Sequence, residues 1–101
     1  MKLQNGHIII PKQIYATVLE NETQVNWVFY AERGQLLIAG KSKTFFEKMH
    51  ATKWASLKDK NINGDKALYV REILIDFDLD DTDRPLSYEI KNSGIIAIDL
   101  A

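Results

Sequence analysis

The chain has no cysteine, only two prolines and no long apolar run. Without cysteine there is no disulfide framework, no thiolate nucleophile and no thiolate metal site. That fits a reducing compartment. No stretch approaches the roughly 18 apolar residues of a membrane span, and Met1–Gly6 lacks the apolar core of a signal peptide, so the expected location is cytoplasmic. Charge of one sign is missing too: 13 Lys and Arg stand against 14 Asp and Glu, a formal net charge of −1. Nucleic-acid binding must then rest on a local patch, because no global basic field exists to drive it.

What is present is an ordinary globular composition, 46% hydrophobic and 27% charged over 101 residues, which predicts a single domain spanning 1–101. The run His7-Ile8-Ile9-Ile10 reads as a strand that stops at Pro11, since proline removes a backbone donor and fixes its own φ. A short helix through about Leu19 follows, with Ile14 and Val18 on its buried face. Gln24–Tyr30 and Gln35–Ala39, joined across Gly34, read as a β-hairpin. Phe45, Phe46, Met49, Lys53, Trp54 and Leu57 fall at helical spacing and predict a helix within 41–60, with Thr44 and Glu47 as a capping box. In Val70–Asp80 the residues Ile73, Ile75, Phe77 and Leu79 alternate with acids, which predicts a strand. Leu86–Ile90 and Ile95–Leu100 around Lys91-Asn92-Ser93-Gly94 read as a second hairpin, so 66–101 is expected to hold antiparallel strands. The expected order is β-α-β-β-α-β-β-β: an α+β protein with a mainly antiparallel sheet and two helices.

Chemistry-bearing clusters are few. The aspartates from Asp76 to Asp83 imitate a calcium loop, but Asp81 occupies the sixth position, where such a loop turns on glycine. They read as a solvated acidic face that discourages edge-to-edge pairing, with a weak cation site at Asp80, Asp81 and Asp83 left open. His7 and His50 have no partner at metal-ligand spacing, and no metal or cofactor is expected. No nucleophile elbow and no phosphate-binding glycine loop occurs, so nothing in the sequence argues for an enzyme. Trp27, Phe29 and Tyr30 lie within one strand and must divide between its faces; the outward ones are candidates for a subunit interface.

The stretch Gly6-His7-Ile8-Ile9-Ile10-Pro11-Lys12-Gln13-Ile14, with the hairpin from Asn26 to Ala39 after it, resembles the swapped-hairpin superfamily of AbrB, MazE and SpoVT regulators. That family's pattern is glycine, arginine, three apolar residues, proline and a later apolar residue. The helix expected after the hairpin, with Trp54, also resembles the MraZ branch. The likeness covers roughly residues 5–39, within an AbrB-like part expected over 1–40, and implies an intertwined homodimer that binds duplex DNA through basic groups near the glycine and on neighbouring loops. By position, His7 takes the place of the family's arginine, and Lys2, Lys12, Arg33, Lys41 and Lys43 are the other candidate phosphate contacts. Only Met1–Asn5 precede the glycine, so one strand of the unit is expected to be short or supplied by the C-terminal third. The function expected is a small dimeric DNA-binding regulator or antitoxin-like protein. The alternative is a non-enzymatic protein-interaction module with an acidic strand face and exposed aromatics, and a ligand-binding domain needs a pocket that sequence does not show.

Overall fold

His7–Ile10 does form a strand, but as the second arm of a hairpin rather than the first element of the chain. The computed structural model describes residues 1–101 and begins with β1 (Lys2–Gln4) and β2 (His7–Ile10). Gln4 pairs with His7 across Asn5-Gly6, both at positive φ (51° and 75°), as a two-residue hairpin loop twisted with its strands requires. The chain continues through α1 (Lys12–Thr17), β3 (Gln24–Tyr30), β4 (Gln35–Gly40), α2 (Thr44–Met49), β5 (Lys53–Ser56), β6 (Lys58–Asp59), β7 (Lys66–Tyr69), α3 (Arg71–Asp76), β8 (Arg84–Pro85), β9 (Tyr88–Ile90) and β10 (Ile96–Asp99). The class is α+β with antiparallel pairing, but there are three short helices and two sheets. No helix is long and apolar enough to cross a membrane.

Two expected elements change type. The helix foreseen within 41–60 is only Thr44–Met49; from Lys53 the chain is extended and pairs with β3, Val25 opposite Ala55 and Asn26 opposite Trp54. Helical spacing of Phe45, Phe46, Met49 and Trp54 lost to an open strand edge that Lys53–Ser56 satisfies. Thr44 caps nothing, and Glu47 instead accepts a hydrogen bond from Nδ2 of Asn26, the one buried polar residue, at 2.7 Å. The strand foreseen over Val70–Asp80 is instead helical at Arg71–Asp76. Val70, Ile73 and Leu74, at helical spacing, are buried, whereas Ile75 is 70% exposed and Phe77 46% exposed. The period-two pattern was genuine, but half of its apolar set faces solvent.

The sheets run β6-β7-β2-β1-β8 and β5-β3-β4-β10-β9. They share both margins. The chain passes from β5 to β6 through Leu57, whose N–H donates to the Thr23 carbonyl, and from β8 to β9 through Leu86, whose N–H donates to the Met1 carbonyl. The two sheets are therefore joined at both margins by continuous chain into a barrel-like pair, while the outer edges of β5 and β9 stay unpaired.

Residues 1–40 and 53–100 build this pair of sheets as two copies of one unit, hairpin, short helix, hairpin. Gly34-Gln35-Leu36-Leu37-Ile38 returns as Gly94-Ile95-Ile96-Ala97-Ile98, and Lys12-Gln13-Ile14-Tyr15 as Arg71-Glu72-Ile73-Leu74. Both helices close alike: the N–H of Val18 donates to the Ile14 carbonyl and that of Phe77 to the Ile73 carbonyl. The copies interleave. β2 pairs with β7, Ile8 opposite Leu68, and β4 with β10, Leu37 opposite its counterpart Ala97. The third strand of each unit pairs with the first strand of the other, β3 with β5 and β8 with the three-residue β1. An approximate twofold axis thus lies within one chain.

The barrel interior is filled from both copies, by Ile8, Leu36 and Ile38 and by Leu68, Ile96 and Ile98. Ile14 and Tyr15 of α1 and Ile73 and Leu74 of α3 join the same core. α2 alone has no counterpart. It lies outside the wall, where Phe46 packs on Leu37, Ala39, Ile95 and Ala97, the two alanines making room for the ring.

Candidate functional site

The candidate basic residues divide among separate places. Gly6 lies under Arg71: a Cβ there would stand 2.8 Å from the guanidinium, which donates to Asn5 Oδ1 at 3.2 Å. His7, next to the glycine, donates from Nδ1 to the Asn5 carbonyl at 2.8 Å and lies against Tyr69, ring centroids 5.3 Å apart. The twofold mate of this corner is Gly64 under Lys12, whose aliphatic carbons would be 3.3 Å from an added Cβ. The Lys12 N–H donates to Asp65 Oδ1 at 2.9 Å, and Lys2 is close enough to act on the same carboxylate. Arg71, from the other half of the chain, thus stands beside the glycine turn that precedes His7. Arg33, Lys41 and Lys43 do not join either corner. Arg33 lies 5.2 Å from the Tyr30 ring centroid, Lys41 4.8 Å from that of Trp54, and Lys43 3.5 Å from Glu20.

The aromatics expected at an interface separate by face. Trp27 and Phe29 turn inwards and pack against the main core, whereas Tyr30 turns to the outer cluster and hydrogen-bonds His50 Nδ1. Trp27 and Phe29 also line a groove of about 930 Å³. The groove is the wedge left where β5 leaves β6 for the second sheet while β7 runs on into α3. Its floor is aromatic, with the Phe29 and Phe77 rings 4.8 Å apart, and Trp54, 59% exposed, stands at its rim. Lys53 and Lys58 come from the β5–β6 strand, and Glu72 and Asp76 from α3.

The acidic turn is knitted into the chain rather than gathered around a point. Asp80 accepts from both the N–H and the hydroxyl of Thr82, and Asp83 accepts from the Asn5 N–H at 2.9 Å. No three carboxylate or imidazole groups come together as a metal-ligand set.

Asp65 is held below its ordinary value by the Asn61 side-chain amide, and then by the Lys12 N–H. A lowered folded value means that its stabilisation is present above about pH 3.9, the unfolded value, and drains as pH falls through the folded one. Asp65→Asn is expected to flatten that acid limb. Thermal melts between about pH 5 and pH 2 check this: the wild-type midpoint should fall further than the variant's.

Sequence reasoning misses Arg71, Glu72 and Asp76 as site residues because it takes 70–80 as a strand, and it gives Tyr69, in the strand before, no role. The signal that points to Arg71 is its place after β7, matching that of Lys12 after β2. No family model matches the chain, nor does any curated protein or solved structure.

Proposed function

We propose that the protein is a non-enzymatic DNA-binding regulator of the swapped-hairpin kind, in which two halves of one chain do what two subunits do in the family it resembles. The observation that carries this reading is the pair of twofold-related corners, Arg71 over Gly6 and Lys12 over Gly64, each a basic side chain beside a turn glycine. His7 and Lys2 stand next to them. Such groups position a duplex through its phosphates without reading its sequence. With a formal net charge of −1, binding depends on these contacts and is steeply weakened by salt.

The test is anisotropy of a labelled duplex, titrated between about 50 and 200 mM salt. About three phosphate contacts give a log–log slope near −3, and the double variant Lys12→Ala/Arg71→Ala is expected to reduce it by about 2. Absence of duplex binding at the lowest salt removes the proposal. A second reading, a protein-interaction module, is favoured by the aromatic groove, which the two corners do not use.

A further inference from the structure

We infer that the groove between β5 and α3 receives an extended segment of another protein, which adds to the free edge of β5 as a strand. This rests on the second reading and is independent of DNA binding.

The backbone of β5 supplies the first argument. The Gln24 carbonyl accepts from Lys41 N–H on the β4 side, while the Thr23 carbonyl accepts from Leu57 N–H. In an antiparallel ladder the direction alternates, so Val25 and Trp27 face Ala55 and Lys53 with their polar groups. The N–H and C=O of Trp54 and Ser56 therefore point away from β3, and no other backbone hydrogen bond of the chain reaches them. A bare strand edge is a template for one more strand.

The second argument is the shape of what lies beyond that edge. At about 930 Å³ the wedge is at the upper end of small-ligand sites, and its floor is apolar and aromatic. The opposite edge of the same sheet, β9, has Tyr88 and Ile90 exposed and lines no comparable aromatic groove. An added strand would place alternate side chains onto the floor and carry the others above it.

Charge selects the occupant. Lys53 and Lys58 line the β5 side and Glu72 and Asp76 the α3 side, so the groove is not a channel of one sign. A polyanion meets two carboxylates along its length. A polypeptide with alternating apolar residues, a basic residue facing α3 and an acidic one facing the lysines, matches both walls.

The experiment uses the full chain against a phage-displayed random heptapeptide library. The best peptide is then synthesised and titrated by tryptophan fluorescence, which reports on the groove because both tryptophans line it. Alternating apolar peptides with a basic residue are expected. N-methylation of the backbone groups facing β5 should weaken binding about tenfold, and methylation of the opposite set should not. Glu72→Lys/Asp76→Lys should weaken it as well and restore it for a peptide whose basic residue is changed to glutamate. Recovery of no fluorescence-active peptide, indifference to the methylated register, or quenching by a single-stranded oligonucleotide but by no peptide each overturns the inference. Lys12→Ala/Arg71→Ala should leave peptide binding unchanged, which separates failure here from failure of the duplex reading.

Discussion

Ile38→Ala and Ile98→Ala are each expected to lower the free energy of unfolding by about 2–5 kcal/mol. Both side chains are fully buried, in β4 and β10, and they occupy matching positions of the two units. Each leaves a hole in a wall hydrogen-bonded on both sides, β4 between β3 and β10, and β10 between β4 and β9. Such a wall moves little to fill it, so the cavity contribution adds to the lost transfer energy. For a domain whose whole stability is about 5–15 kcal/mol, that is a large share. The approximate symmetry adds a sharper expectation: the two losses should agree within about 1 kcal/mol, since the neighbours correspond. Urea titration of both variants measures it. A loss below about 0.5 kcal/mol at either site, the usual range for surface changes, would contradict the barrel core described above.

Gly6→Ala is expected to cost about 1–3 kcal/mol, because φ at Gly6 is 75° and a side chain there is strained whatever surrounds it. The added Cβ also meets Arg71 at 2.8 Å and displaces the guanidinium from Asn5. Stability and duplex affinity should therefore fall together. At Gly64, φ is 101° and the facing Lys12 chain is flexible, so Gly64→Ala should cost stability to a similar degree but disturb duplex binding less. Comparing the two variants after scaling for the folded fraction separates strain from the loss of a positioned arginine. Equal affinity loss at both glycines would argue against a particular role for Arg71.

Hairpins were the legible part of this fold. Gln24–Tyr30 with Gln35–Ala39 forms as expected because a strand pattern and a glycine turn lie within one short window, and His7–Ile10 is a strand for the same local reason. Trp54 and Ile75 show where local pattern stops deciding. Trp54 stands at helical spacing from neighbours it does not join, because the edge of β3, far back in the chain, is what it pairs beside. Ile75 alternates as a strand residue should, yet the turn that buries Ile73 and Leu74 exposes it. The basic corners were half legible. Lys12 and His7 were named from the resemblance, but Arg71 reaches Gly6 only through the pairing of the two halves, a relation that no short window contains.

That pairing bears on how the molecule is made. β2 and β4 have their second partners in β7 and β10, so a nascent chain ending at Gly40 holds two strands, each with an unfilled ladder. At ~5–20 residues per second, residues 41–101 take roughly 3–12 s to synthesise. For that interval Ile8, Ile10, Leu36 and Ile38 have no opposite wall to cover them. During translation, the complementary surface nearest in kind is another nascent copy of the same half on a neighbouring ribosome.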